Sequence, residues 1–361
     1  MRRGRPSRRL LRPIALGAAA VAVLAGVAWF VGWGATLDAV AEAGWLAFVV
    51  GAALTPVWLL CYAAAWQALS RGLGQRIPLR TLFEGTVVGQ AGSMVTPSAY
   101  LGGEPLKVLY VGRAAGGRYR QVAGSVVLGK YLEALSFIGL FAFGAVVAAV
   151  SYREVLFSGP HALAGPAVLL AAGVLVALAG GVWTSLHRRW RPLTAVVRAL
   201  ARPGPFRGAL ERVAERSRVM EAEVSRAFRE EGGAARRGLL FYALGHVTML
   251  VKPGIFFWLG SGAGVGLAQL CLIFVATQVL LGAQLTPGGL GMFDGGLLGF
   301  CALIGVAPGQ CAAYLLCVRL TDALMVGGGA WLAARVGLEL LGGKAGTASP
   351  KPAIEPGPGV A

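Results

Sequence analysis

Apolar runs alternate with short polar or arginine-bearing segments along most of the chain. Unbroken runs cover 14–31, 45–69, 122–150, 162–184, 239–259 and 314–334. Each is long enough to predict a helix across a hydrocarbon core. Two further runs, 82–110 and 267–304, are interrupted by Thr-Pro and by glycines. Backbone that leaves the helix at membrane depth is tolerated only when buried in protein or lining a wet cavity. These two runs therefore predict hairpins of broken helix. The one sizeable polar stretch is 187–237, where Val213, Met220, Val224 and Phe228 recur at helical spacing. That spacing predicts an amphipathic helix lying on the membrane or capping a bundle. Residues 341–361 are rich in glycine, proline and alanine and are expected to be a disordered tail.

The two broken runs share a motif. The first is Val95-Thr96-Pro97-Ser98-Ala99-Tyr100-Leu101-Gly102-Gly103-Glu104; the second is Leu285-Thr286-Pro287-Gly288-Gly289-Leu290-Gly291-Met292-Phe293-Asp294. A carboxylate, Glu104 or Asp294, follows each proline by 7 positions (104 − 97; 294 − 287). The next apolar run then carries a base and an acid three positions on: Lys130 with Glu133, and Arg319 with Asp322. Proline to base is 33 residues in one copy and 32 in the other (130 − 97; 319 − 287). Four features in one order at nearly one spacing predict an internal repeat, about 45–184 and about 238–336, separated by the basic loop 187–237. Interrupted apolar segments in corresponding places of two halves point to the central site of a transporter.

Composition agrees with a membrane solvent. The 361 residues are 56% hydrophobic and only 14% charged, against roughly 25% charged in soluble domains. The 55 glycines suit close helix approach in lipid. The net charge of +17 would suggest nucleic acid in a soluble protein. Here the arginines gather in interhelical loops, where they set topology and meet anionic headgroups, so no nucleic-acid partner is expected. The five cysteines sit in apolar stretches without CxxC spacing, and the three histidines share no metal-ligand spacing. Neither a disulfide framework, a metal site nor a cofactor is expected.

Charge also orients the chain. Arg2, Arg3, Arg5, Arg8, Arg9 and Arg12 precede the first run, which resembles a signal peptide but is read as an uncleaved first helix. Arg71, Arg76, Arg80, Arg113, Arg118 and Arg120 flank the first hairpin and place its ends in the cytoplasm. The short loop holding Asp38 and Glu42, and the loops 260–266 and 305–310, have no Lys or Arg and are expected outside, as is the short loop 151–160. The first hairpin would then open inward and the second outward. Six spans and two hairpins put both termini in the cytoplasm.

Charge at the centre of a bilayer is costly, so intramembrane ions face the bundle interior and pair. Two readings stay open for Lys130–Glu133 and Arg319–Asp322: ion pairs that lock helices together, or basic groups that meet an anionic headgroup, a role for which arginine's fork suits phosphate. Glu104 and Asp294 fall where a broken helix resumes. They are either caps stabilised by the helix dipole or a proton- or cation-linked site. Gly103, Gly288 and Gly289 would let backbone approach a ligand closely. Lys252, before Pro253, either snorkels or lines the cavity; Lys107 is either an anchor or part of the path. No nucleophile–base arrangement, GxSxG or HExxH is present, and no enzyme activity is expected.

On the Thr96-Pro97…Gly102-Gly103-Glu104 and Leu285-Thr286-Pro287-Gly288-Gly289-Leu290-Gly291-Met292-Phe293-Asp294 segments, the chain resembles the membrane region of lysylphosphatidylglycerol synthetases. That region defines a broader flippase-like family. Its members commonly have Glu where Asp294 stands here, which keeps the carboxylate. The resemblance covers about residues 10–340 and does not extend to an aminoacyl-transferase domain. It implies movement of an anionic or polyprenyl lipid between leaflets.

The expectation is an all-α polytopic membrane bundle over residues 1–340, with two re-entrant hairpins in an inverted repeat. It would sit in a bacterial-type inner membrane and move lipid. The substrate-binding candidates are Pro97, Gly103, Glu104, Lys130, Glu133, Pro287, Gly288, Gly289, Asp294, Arg319 and Asp322. The alternative is a non-transporting subunit that supports a lipid- or glycan-modifying membrane enzyme.

Overall fold

The computed structural model describes residues 33–96, 102–157, 163–188, 232–262, 264–282 and 286–341, with isolated positions between 194 and 222. Every regular element among them is a helix: α1 (Trp33–Gly72), α2 (Leu79–Val95), α3 (Glu104–Ala114), α4 (Tyr119–Ser151), α5 (Arg153–Leu156), α6 (Ala164–Arg188), α7 (Gly232–Ser261), α8 (Leu267–Gly282), α9 (Met292–Leu303) and α10 (Pro308–Leu341). A 3₁₀ turn, Pro287–Gly289, precedes α9. The expected first span, the amphipathic helix within 187–237 and the tail after Leu341 lie outside the described residues.

Among the described residues, α1, α4, α7 and α10 are long and apolar enough to cross a membrane. The elements of the two interrupted runs are shorter. At about 1.5 Å per residue, the 12-residue α9 covers about 18 Å of a hydrocarbon core about 30 Å thick. Both runs break where glycine and proline were expected to break them: α2 ends at Val95 and α3 starts at Glu104, while α8 ends at Gly282 and α9 starts at Met292.

One expectation needs correction. Asp38 and Glu42 do not lie in a loop; they are helical, within the first turns of α1. The helix is interrupted at Gly44, whose φ of 69° and ψ of 160° break it locally before it continues. The expected external loop 151–160 likewise contains the short helix α5.

In lipid the tails are as apolar as leucine, so helices associate through close packing and polar contacts rather than through the hydrophobic effect. The broadest helix–helix contact joins α1 to α7. Small residues permit it: a Cβ on Gly260 would lie 3.1 Å from the Cα of Ala43, and one on Gly245 would lie 2.7 Å from the Tyr62 ring. The remaining helices exchange partners across the two halves of the chain. α10 packs along α2 of the first interrupted run, and α4 packs along α8 of the second. Each also touches the second helix of its own run, α3 against α4 and α9 against α10. This interlock draws both interrupted runs toward the α1–α7 pair.

Candidate functional site

The second motif builds a closed clamp. Gly288 and Gly289 have φ of 63° and 64°, a left-handed conformation that glycine adopts without a Cβ penalty. The turn points the Gly288 carbonyl at Arg319 of α10, whose Nη1 donates to it at 2.9 Å. Arg319 also grips Asp294 in a two-pronged bond: Nε to Oδ1 and Nη2 to Oδ2, both at 2.8 Å. Asp294 sits in the first turn of α9 and its Oδ2 accepts the Gly291 N–H at 2.8 Å. Asp322 completes the set, accepting from Arg319 Nη1 at 3.2 Å, and the Phe293 ring lies 5.2 Å from the guanidinium carbon. The Arg319 and Asp294 side chains are 3% and 2% exposed. A fork matched to a carboxylate is among the strong charge-assisted pairings. It satisfies buried charges that would otherwise be costly.

The first motif builds a looser version from the same parts. Glu104 opens α3, with Pro105 behind it in the first turn. Its Oε1 accepts from Lys130 Nζ of α4 at 2.9 Å and from Lys107 Nζ at 3.1 Å. Lys130 also donates to Glu133 Oε1 at 3.0 Å. The Lys130 and Glu104 side chains remain 25% and 16% exposed. Glu104 Oε2 is buried with no hydrogen-bond partner among the described residues. The group lines a small cavity of about 20 Å³ that it shares with Thr86, Ser125 and Tyr242. A polar pocket of this size has room for about one water.

A larger cavity of about 140 Å³ lies between the two interrupted runs, bounded by α1, α2, α7, α8 and α10. Gln90, Ser93 and Met94 reach it from α2; Gly288 and Phe293 reach it from the second motif. Apolar residues such as Leu54, Trp58, Phe274 and Val318 line it together with the polar Thr55, Thr277, Gln278, Lys252, Arg319 and Asp322, and α1, α7, α8 and α10 each contribute both kinds. Prolines stand in both central helices beside it, Pro56 in α1 and Pro253 in α7. A proline inside a helix removes one backbone bond and bends the helix, which helps to open space there.

The sequence-predicted residues therefore fall into two groups that do not share one pocket. Arg319, Asp322 and Gly288 border the large cavity; Glu104, Lys130 and Glu133 border the small one. Asp294 belongs to the clamp, and Gly289 is buried in the turn with its N–H donating to the Thr286 carbonyl. Pro287 opens the 3₁₀ turn, whereas Pro97 lies outside the described residues. Gly103 serves helix packing: a Cβ there would fall 1.7 Å from the Gly89 carbonyl oxygen. Its N–H donates to Ser93 Oγ at 3.0 Å. Lys107 is no surface anchor; it is 8% exposed, its stem crosses Gly89 and its ammonium joins Glu104. Lys252 lines the large cavity and donates to Thr55 Oγ1 at 2.9 Å. His246 is held between Tyr62 and Ser136 at 2.9 Å on either side, in a packing role.

Spacing within the motifs revealed the i,i+3 pairs but not the longer bonds from Glu104 to Lys130 and from Asp294 to Arg319. Thr55 went unnoticed. The available signal was the pairing of Thr55-Pro56 with Lys252-Pro253, a polar residue before proline in two long apolar helices.

The family model described as the lysylphosphatidylglycerol synthase TM region matches residues 16–328, which include both motifs, both ion clusters and the whole cavity lining. A UPF0104 membrane protein of Methanothermobacter thermautotrophicus is 24% identical over 312 residues, covering 85% of this chain and 90% of that relative. No solved structure matches the chain. With a match over most of its length and four helices among the described residues long and apolar enough to cross a membrane, the chain is a multi-pass membrane protein that belongs to the lysylphosphatidylglycerol synthase TM region family.

Proposed function

We propose that this protein moves an anionic or polyprenyl lipid from one leaflet to the other, as a flippase or scramblase, without itself catalysing a reaction. The observation that carries this reading is the large cavity between the two interrupted runs. Polar groups, among them the half-buried Lys252 ammonium, and apolar side chains line it together, the mixture that a headgroup with attached chains requires. Broken helices next to a mid-bundle cavity are the setting in which transporters bind their cargo. The shortness of α8 and α9 supports re-entrant hairpins, and the distribution of arginine supports their opening to opposite faces. On this reading the chain is an inverted repeat in a bacterial-type inner membrane, with both termini cytoplasmic.

The test is lipid movement in proteoliposomes. A headgroup-labelled anionic lipid is followed by quenching from outside, with the Glu104→Gln/Asp294→Asn double variant alongside. Protein-dependent flipping that disappears in the variant is the expected outcome. Absence of flipping with several anionic and polyprenyl lipids would overturn transport and favour a subunit that supports a membrane enzyme. Topology has its own test. Cysteines placed at Gly262 and Gly305, both exposed, should label from outside the cell, and labelling from the cytoplasm would end the inverted arrangement.

A further inference from the structure

Arginine would be the obvious headgroup ligand, but Arg319 is already committed. Its Nε, Nη1 and Nη2 bond Asp294, Gly288 and Asp322, and no site for a second carboxylate-like partner matches the fork that Asp294 fills. Lys252 is the cation of the cavity that lacks such a commitment. It stands well inside α7, beside Pro253, and its ammonium turns inward to Thr55 of α1. Among the described residues it forms no ion pair within 4.0 Å. An ammonium has three N–H donors, and Thr55 takes one. Asp322 lines the same cavity and acts on the Lys252 charge without bonding it, so the ammonium keeps donors for a further anion. Gln90 of α2 and Thr277 and Gln278 of α8 line the same cavity and carry further N–H and O–H donors.

We propose that Lys252 and Thr55 form an oxyanion site for the phosphodiester of a lipid headgroup. Lys252 supplies the charge, Thr55 orients the ammonium and offers its own hydroxyl proton, and the side-chain amides receive the remaining oxygens. The apolar side chains of the lining accept the first part of the acyl chains. The site rests on the transport reading only for its lipid source; the chemistry alone would take free phosphate as well.

The experiment is equilibrium binding to purified full-length protein in detergent micelles, measured by thermophoresis. The probes are phosphatidylglycerol, diacylglycerol (which lacks the phosphate) and inorganic phosphate. Lys252→Met should weaken phosphatidylglycerol binding about tenfold or more, as loss of a charged hydrogen bond implies. Diacylglycerol binding should not change. Lys252→Arg should keep most of the affinity, and Thr55→Val should weaken it by about threefold, as loss of a neutral bond implies. Equal phosphatidylglycerol affinity in wild type and Lys252→Met would overturn the site. So would an Asp322→Asn change that restores stability to Lys252→Met while lipid affinity stays at the wild-type value, since Lys252 would then serve only to balance Asp322. If Lys252→Met is not monodisperse, Thr55→Val decides, and unchanged affinity there counts against the proposal. Phosphate that displaces the lipid supports a shared oxyanion site; phosphate binding without lipid binding would overturn the lipid assignment. Lipid binding that depends on Lys252 in a protein that moves no lipid would leave the site standing and remove transport. Flux with Lys252-independent binding would do the reverse.

Discussion

Two clusters with one sequence spacing have different mechanical characters. In the second, a planar guanidinium joins a carboxylate through two parallel bonds, holds the backbone of the preceding turn, and is almost wholly buried. In the first, a lysine ammonium bonds two glutamates, one of which it shares with a second lysine, and a quarter of its side chain is exposed. An ammonium is a point charge whose donors can be redistributed among Glu104 and Glu133; a filled fork has one good geometry. The second motif is thus a clamp that ties the Pro287–Gly289 turn to α10. The first is a network with an unused carboxylate oxygen and a small polar pocket, where the Lys130 donors can be redistributed. A protein that alternates between states has use for both, one fixed joint and one adaptable.

The sharpest way to break the contrast is to remove each carboxylate. Asp294→Ala strands a buried arginine and should cost about 3–5 kcal/mol. Glu104→Ala leaves Lys130 with Glu133 but takes the ion-pair partner from the buried Lys107, and should cost about 2–3 kcal/mol, the range of a charged hydrogen bond. Thermal unfolding in detergent reads both, and equal losses would refute the clamp-versus-network distinction.

The glycines give the next largest effect. Gly103→Ala forces a Cβ to within 1.7 Å of a backbone oxygen, so α2 and α3 must separate, with a loss of about 3 kcal/mol or more, in the range of severe overpacking. At Gly288 the nearest atoms to a new Cβ are 3.9 Å away. Gly288→Ala therefore meets only the left-handed backbone penalty, about 1–2 kcal/mol. A larger loss at Gly288 than at Gly103 would place the demand for glycine in turn conformation rather than in helix contact.

Swapping the bases separates shape from charge. Arg319→Lys keeps the charge but loses the fork, and should lower stability by about 1–3 kcal/mol, whereas Lys130→Arg should change it by less than about 1 kcal/mol. Glu104→Gln keeps an acceptor for both lysines and loses no partner at Oε2, so weakening of the two charged bonds should cost only about 1 kcal/mol. If Glu104→Gln nevertheless abolishes lipid movement at near-normal melting temperature, the adaptable network belongs to the working cycle.

Much of the helical plan was legible along the chain. Apolar length predicted α4 to within 3 residues (122 − 119) and α7 and α10 to within 7 (239 − 232; 341 − 334), and the Thr-Pro-glycine interruptions predicted where α2 gives way to α3 and α8 to α9. Helix needs only local information: every backbone bond is made within the segment, and in lipid there is no alternative partner. The start of α1 was missed because acidic residues in a short polar stretch read as a loop, while the chain stays helical on both sides of Gly44. Gly103 was misread for a related cause. A glycine beside a carboxylate fits a ligand approach as well as it fits a crowded helix crossing, and only the position of Gly89 on a neighbouring helix separates the two.

An apolar solvent, an all-helical architecture, paired motifs and i,i+3 ion pairs follow from composition and spacing, since each depends on neighbours a turn or less apart. Three-dimensional packing alone decided that Asp294 meets Arg319, that Glu104 meets Lys130, and that Lys252 finds Thr55 across 197 residues of chain. It also separated the two clusters into different pockets. Those outcomes depend on how α4 and α10 cross the opposite halves of the bundle. Crossing is governed by the fit of many small residues at once, and no local pattern encodes it.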